Sequence, residues 1–322
     1  MYNRVSSNVR KSWLLILVFT AFAGLIGWLF GEYLGIGLWG LGGAAIFSVL
    51  MTWGSYFSSD KIALSMSRAK PADETEHAQL HNIVEGLSLA AGLPKPRVYV
   101  VQDSAPNAFA TGRNPEHAAI AVTTGLMEIM DRDELEGVLA HELAHVKNRD
   151  TLVMTLAVTL VGVIILLADL LMRAMFWGGM GGDDDDGGGG LAAPLAIIGL
   201  ILMIFAPIIA QLLQFAISRQ REFLADAEAV MLTRYPDGMI GALKKLQADP
   251  TVVRSASKAT AHLWIESPIA QNANEKRRGA SKGTRLNRLF NTHPPLEERI
   301  LALQTSSVTS GGDWRDAPPP PA

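Results

Sequence analysis

The sequence predicts a mainly helical α+β protein that combines four transmembrane helices with a polar unit containing a small sheet. Hydrophobic residues make up 49% of the 322 residues, and the mean hydropathy is positive. The apolar residues concentrate in four blocks, each about long enough to cross the ~30 Å hydrocarbon core of a bilayer as a helix. These blocks are Ser12–Phe30, Leu34–Phe57, Leu152–Leu171 and Leu191–Phe215.

The first block has features of a cleavable signal peptide, because NVRKSWLLILVFTAFAG combines a basic start, an apolar core and Ala21-Phe22-Ala23. The apolar run continues to Phe30 and a second span follows at once, which favours an uncleaved anchor. Basic residues precede the first and third blocks and follow the second and fourth: Arg4, Arg10, Lys11, Lys61, Arg68, Lys70, Lys147, Arg149, Arg219 and Arg221. The positive-inside rule therefore predicts that both termini and the polar unit face the cytoplasm.

The polar unit follows the second block. An amphipathic helix is predicted from Asp73 to its stop at Gly92, and RVYVV, NAFAT and HAAIAVT indicate short strands. RDELEGVLAHELAHVKN is a second helix with acidic residues at its N-terminus, as the helix dipole favours. The third and fourth blocks form a hairpin inserted into this unit, and helical sequence resumes at SRQREFLADAEAVML.

The second polar helix carries the residues of a metal site. His141 and His145 are four residues apart on one helical face, so both imidazoles can reach one ion, while Glu142 is placed to act on water. The chain has no cysteine, so a metal must bind through His, Asp or Glu. Zinc with two histidines needs a third ligand, which Glu222 supplies, and Asp226 one turn later would accept a hydrogen bond from a liganding histidine.

The sequence also supports alternative interpretations of these residues. The HExxH motif arises by chance in roughly one of a hundred shuffled chains of this composition, so a metal-free helix presenting His and Glu is the alternative. His77 and His81 also share a helical face but lack a base between them, which favours surface or packing roles. The Gly/Asp loop at 178–190 lacks calcium-loop spacing. The net charge of −3 gives no indication of a nucleic-acid partner.

HELAH, EFLAD after SRQR, NAFATG and THPPLEERI, in this order and interrupted by a membrane hairpin, resemble the HtpX-type membrane zinc metallopeptidases, of the same superfamily as the CAAX prenyl proteases and Oma1-type proteases. The resemblance implies a zincin-like (gluzincin) catalytic domain with one zinc ion per chain. It assigns His141, His145 and Glu222 as metal ligands and Glu142 as the catalytic base. It also implies that the enzyme acts in the bacterial cytoplasmic membrane, cleaving damaged or misfolded membrane proteins at the cytoplasmic face within a stress response.

Three further residues gain a role from the resemblance. Asn107 and the stretch Ala108–Ala110 would flank the cleft, where an extended substrate could pair with a strand edge; a turn asparagine before a buried Phe109 is the alternative. His293 and Arg299 would line the active site, with His293 stabilising the oxyanion. A plain helix-entry turn at Pro294–Pro295 explains the same residues equally well.

The predicted organisation has five parts. Residues 1–57 hold two N-terminal transmembrane helices, and 58–150 the first part of the catalytic domain. Residues 151–217 form a transmembrane hairpin with an acidic, glycine-rich external loop, 218–305 the second part of the catalytic domain, and 306–322 a disordered tail. An intramembrane zinc protease and a non-catalytic metal-binding membrane adaptor are the rival functions. Charged residues around HELAH argue against the first, and Glu142 argues against the second.

Overall fold

The computed structural model describes residues 2–33, 35, 38–154, 219–249, 251, 264–265 and 294–309. Within these residues the helices are α1 (Tyr2–Tyr33), α2 (Leu38–Met66), α3 (Ala78–Ala91), α4 (Thr124–Ile129), α5 (Arg132–Lys147), α6 (Arg219–Thr233), α7 (Pro236–Ala248) and α8 (Leu296–Thr309). The strands are β1 (Lys70–Pro71), β2 (Arg97–Val101), β3 (Ala108–Thr111) and β4 (Ala119–Thr123). The mainly helical fold with a small sheet is therefore confirmed.

The four strands form one mixed sheet in the order β1-β2-β4-β3. β2 and β4 are parallel, whereas β1 pairs with β2 and β3 pairs with β4 in antiparallel fashion. Gly112 ends β3 with a φ of 132°, and a Cβ there would lie 2.5 Å from the carbonyl oxygen of His117, so only glycine fits this turn. The order leaves β3 at one edge of the sheet.

Two hydrophobic clusters pack on the sheet. One joins α3, α5 and α7 to β4 through buried residues such as Val84, Leu139, Leu243 and Ile120. The other joins Phe109 and Ala121 to the end of α2 at Ala63 and Leu64. Helix α2 therefore continues beyond Phe57, where the second apolar block ends, to Met66. Its last turns bury Ala63 and Leu64 in this cluster.

Helix α1 contains the first predicted span and α2 contains the second from Leu38 onward, and the two helices pack against each other. Among the described residues, however, no helix is both long enough and sufficiently apolar to span a bilayer. The prediction of four transmembrane helices is therefore not confirmed. The third and fourth blocks lie outside the described residues, apart from 152–154, and so does the acidic loop at 178–190.

The C-terminal helix α8 extends to Thr309, so it includes the first residues of the segment predicted as a disordered tail. It packs on α6 and α7 and buries Ile300 and Leu303 in the larger cluster. Arg299 on the same helix is fully buried. The position of α8 therefore brings one end of the chain to the middle of the polar unit.

Candidate metal centre

The helix α5 begins at a capping box. Asp131 accepts a hydrogen bond from the backbone N–H of Glu134, and Glu134 accepts one from that of Asp131. This arrangement satisfies backbone donors that would otherwise be unpaired at the helix start. The rest of the helix is almost entirely buried, including His141, Glu142 and His145. Buried polar residues need partners, and the partners of these three define the site.

His141, His145 and Glu222 form one cluster in which the ligand atoms all lie within 4.8 Å of one another. The two Nε2 atoms are 3.2 Å apart. Each lies 3.6 Å from an oxygen of the Glu222 carboxylate. In a tetrahedral zinc site with bonds of about 2.0–2.1 Å, two donor atoms are separated by roughly 3.3 Å. The spacing and chemistry of this donor set therefore fit a tetrahedral metal ion with one open position.

The far nitrogen of His141 is held by a carboxylate and an arginine. Its Nδ1 lies 2.9 Å from Oδ1 of Asp226. Arg299 donates to both oxygens of Asp226, at 2.8 Å from Nε and 2.6 Å from Nη2. Because a carboxylate can only accept, Nδ1 of His141 carries a proton, and the lone pair that a metal needs is on Nε2. The expected contact between Asp226 and a ligand histidine is present.

These contacts also set the charges in the cluster. Burial and Arg299 lower the pKa of His141, but hydrogen bonds to Asp226 and Glu222 outweigh them and raise it to about 9. Burial raises the pKa of Asp226, but the charge and hydrogen bonds of Arg299 outweigh it and hold this pKa below its ordinary value. Asp226 is therefore ionised and can hold the imidazole.

His145 has a carboxylate partner that the sequence analysis missed. Its Nδ1 lies 3.1 Å from Oδ2 of Asp150. Burial lowers the pKa of His145, but the hydrogen bond to Asp150 and the charge of Glu222 raise it overall. Asp150 ends the stretch HELAHVKNRD. From the sequence it was counted only among the charged residues that flank HELAH. The need of the second proposed ligand histidine for an acceptor at its far nitrogen could have pointed to Asp150.

Glu142 lies beside the ligands and against the sheet edge. It is buried, and its carboxylate accepts a hydrogen bond from the backbone N–H of Ala110 in β3. Burial raises the pKa of Glu142, and this exceeds the lowering caused by His141 and His145. A carboxylate with a raised pKa can both accept and return a proton near neutral pH, which a general base requires.

The edge of β3 next to Glu142 carries a further contact. The backbone N–H of Ile265 donates to the carbonyl oxygen of Ala108 at 3.0 Å, and the ring of Trp264 packs edge-on against Phe109 with centroids 4.7 Å apart. Asn107 is buried, and its side-chain oxygen accepts from the N–H of Ala108. The structure therefore brings Ala110 of β3 against Glu142, whereas Asn107 contacts Thr123 and Ala108, and Phe109 is buried as the alternative interpretation expected.

The remaining predicted residues are distributed as follows. Arg299 contacts Asp226, and its Nη1 lies 3.7 Å from Oε2 of Glu222, so it belongs to the cluster. His293 lies outside the described residues. His81 is 3.1 Å from the carbonyl oxygen of Ala72 through Nε2, which fits the packing role predicted for it.

Two imidazoles and a carboxylate that can hold a metal, with a buried glutamate beside them, define the site of a metallopeptidase. The chain belongs to peptidase family M48, whose family model matches residues 74–307. The resemblance drawn from the four motifs is confirmed by this match. The protein is a metallopeptidase, a hydrolase of peptide bonds, and its family implies a divalent metal ion.

Known relatives cover nearly the whole chain. The "Protease HtpX homolog" of Thermoanaerobacter pseudethanolicus is 46% identical over 308 residues, which is 96% of this chain and 98% of that protein. The "Protease HtpX homolog" of Caldanaerobacter subterraneus subsp. tengcongensis is 45% identical over the same shares of both chains. The crystal structure of S. mikatae Ste24p is similar at a TM-score of 0.49 and 19% identity, over 94% of this chain and 67% of that chain. At that score the likeness supports no conclusion.

Proposed function

We propose that the protein is a membrane-bound zinc endopeptidase that cleaves misfolded or damaged membrane proteins at the cytoplasmic face of the bacterial membrane. The observation that carries the catalytic part is the cluster of His141, His145 and Glu222, with Glu142 buried beside it. Zinc is the metal that two imidazoles, one carboxylate and an open position suit best. Cleavage within a chain, rather than at its end, is supported by the strand edge that passes the site.

The roles of the side chains follow from their contacts. A bound zinc ion would supply Lewis acidity that activates water and polarises the scissile carbonyl. Glu142 accepts the proton of the attacking water and delivers it to the leaving amine. His141, His145 and Glu222 would hold the metal, and Asp226 with Arg299 keeps His141 oriented. His293 remains a proposed stabiliser of the oxyanion.

The edge of β3 is the proposed place for the substrate backbone. An extended peptide can add to a sheet edge through main-chain hydrogen bonds and would then run past Glu142. Ile265 now donates to Ala108 at this edge, so a substrate strand either replaces Ile265 or pairs beyond it. Asn107, which precedes β3 and accepts from the N–H of Ala108, would hold the start of this edge strand in place.

Attachment to the membrane is supported by the surface of α1 and α2. Among the described residues, fifteen large hydrophobic side chains are exposed, and eleven of them lie on these two helices: Trp13, Leu14, Leu17, Trp28, Leu38, Trp39, Ile46, Val49, Leu50, Trp53 and Phe57. An exposed apolar surface of this kind is typical of contact with lipid or with other proteins. Together with the apolar blocks at 152–171 and 191–215, it supports a protein anchored by four spans.

The decisive experiment separates the base from the ligand. Glu142→Gln should fold, keep about one zinc ion per chain and cleave neither casein nor a membrane-protein substrate in detergent. Glu222→Ala leaves two histidines, too few to hold zinc against a chelator, and should lose both metal and activity. Zinc content after mild chelation and cleavage rate are measured on the same preparations.

Three outcomes contradict parts of the proposal. If Glu142→Gln loses zinc as readily as Glu222→Ala, or cleaves at a rate near the parent's, the assignment of base and ligand is wrong. If the parent binds zinc but cleaves no protein with or without chelator, the adaptor alternative is favoured. If it cleaves only substrates held within the bilayer, the intramembrane alternative is favoured.

A further inference from the structure

Both proposed ligand histidines have a carboxylate at the far nitrogen, but the carboxylates come from different parts of the chain. Asp226, the partner of His141, lies on α6 one turn after Glu222. Asp150, the partner of His145, lies three residues after the end of α5. Partners of this kind orient a ligand imidazole and raise its basicity, and their loss commonly weakens metal binding.

A local turn brings Asp150 back to the helix that precedes it. Arg149 has a φ of 57°, in the left-handed region that costs about 1–2 kcal/mol for a residue with a Cβ. The chain turns at Asn148 and Arg149 and is helical again from Asp150, and the side chain of Asp150 contacts His145 five residues earlier. An unfavourable backbone conformation persists only where the surrounding contacts hold it.

Those surrounding contacts come from the N-terminal helix α1 and, at one point, from α6. Asn8 on α1 is only 4% exposed. Its side-chain amide donates to Oδ1 of Asp150 at 2.7 Å and to the carbonyl oxygen of Asn148 at 2.9 Å. Both hydrogens of the amide are thereby used on the same turn. Arg221, next to Glu222, lies 3.4 Å from the same Asp150 oxygen.

We propose that Asp150 is a positioning residue that orients His145 toward the metal, and that Asn8 of α1 holds Asp150 in place, which makes the N-terminal helix part of the metal site. The inference rests on the proposed ligand set. Oδ2 of Asp150 contacts His145 and Oδ1 accepts from Asn8. These two contacts together fix the orientation of the carboxylate plane. Asn8 is 142 residues from Asp150 in sequence, so docking of α1 and formation of the metal site are linked.

Zinc affinity and the visible spectrum of cobalt-loaded protein test this in the full-length chain in detergent. Asp150→Ala should weaken zinc binding about 10- to 100-fold, as losses of such partners do. Asp150→Asn keeps an oxygen that can accept from His145, so it should recover most of the loss. Asn8→Ala should weaken zinc binding about threefold to tenfold, because Asp150 remains but loses one of its donors. Both alanine variants should also alter the cobalt absorption bands, which report ligand geometry.

Ser12→Ala is the matched control on α1. Ser12 is as buried as Asn8 and lies one turn further along the same helix, where its hydroxyl donates to the carbonyl oxygen of Asn8 without touching Asp150. This variant should keep the parent's zinc affinity and cobalt spectrum. Equal weakening in Ser12→Ala and Asn8→Ala would overturn the inference, because the effect would then come from general packing of α1.

Two further results would also overturn it. One is unchanged zinc affinity and spectrum in Asp150→Ala. The other is an Asp150→Asn variant as weak as Asp150→Ala although both fold like the parent. Failure of the proposed function itself gives a different pattern, because then Glu222→Ala would bind zinc as tightly as the parent.

Discussion

The contact between Asp226 and Arg299 allows the metal site and the fold to be perturbed separately. Asp226 is 1% exposed and Arg299 is 0% exposed, and two hydrogen bonds of 2.8 and 2.6 Å join them. Replacing Asp226 with alanine removes the acceptor of the His141 ring and leaves a guanidinium buried without its main partner. The substitution therefore has two consequences, one for zinc and one for folding.

The two consequences have different sizes. Breaking a buried ion pair by removing one partner costs about 3–5 kcal/mol of folding free energy, because an uncompensated charge stays inside. Loss of a carboxylate behind a ligand histidine weakens metal affinity about 10- to 100-fold. A second substitution, Arg299→Met in the Asp226→Ala chain, removes the buried charge but does not replace the acceptor for His141.

The assay compares the parent, Asp226→Ala and the double variant in detergent. The unfolding free energy is measured on metal-free protein, and zinc affinity by competition with a chelator. The double variant should recover most of the stability but none of the zinc affinity. If Asp226→Ala matches the parent in both measurements, Asp226 is a passive acid and the orienting role is refuted. If the double variant also recovers zinc affinity, the loss came only from the buried charge.

Three other predictions concern topology, pH and the strand edge. A reporter fused after Gln304 should lie in the cytoplasm and one at Gly187 outside, as the distribution of basic residues requires; the opposite location at either point contradicts the proposed orientation. Because the pKa of His141 is raised to about 9 in the metal-free protein, zinc must displace a proton below that pH. Zinc affinity should therefore rise by about tenfold per pH unit well below pH 9 and level off near that pH, and an affinity that does not change with pH would contradict this prediction. Ile265→Pro removes the N–H that donates to Ala108 and should lower the KM for an extended peptide severalfold with unchanged zinc affinity. An unchanged KM would mean that Ile265 does not compete with substrate.

Local sequence spacing was sufficient to predict that His141, His145 and Glu222 lie close together, as the structure places them. His141 and His145 share a face because a helix repeats every 3.6 residues, and Glu222 and Asp226 are one turn apart on α6 for the same reason. The strands were recognisable from short apolar runs between turn signals. These patterns do not specify the order of the strands in the sheet. The position of β3 at the sheet edge beside Glu142 is therefore known only from the structure.

The contacts that the sequence did not reveal depend on long separations or unusual backbone geometry. Asp150 reaches His145 only because Arg149, which carries a Cβ, adopts a positive φ, and nothing in its side chain signals this. Asn8 and Ile265 reach the site from 142 and 157 residues away, counted from Asp150 and Ala108. The second apolar block ends at Phe57, whereas helix α2 continues to Met66 and buries Ala63 and Leu64.

The proposed metal site draws on four helices, of which α1 and α8 are the first and last that the structure describes. α5 and α6 supply the proposed ligands, α8 supplies Arg299 for the carboxylate behind His141, and α1 supplies Asn8 for the carboxylate behind His145. A chain in which α1 has not yet packed would still bring His141, His145 and Glu222 together, but one imidazole would lack its fixed acceptor. Since a ligand that binds only the folded form adds its binding energy to stability, metal binding would favour the state in which both terminal helices are packed. On the proposed arrangement, metal loading would depend on the packing of the N-terminal helix as well as on the proposed ligands themselves.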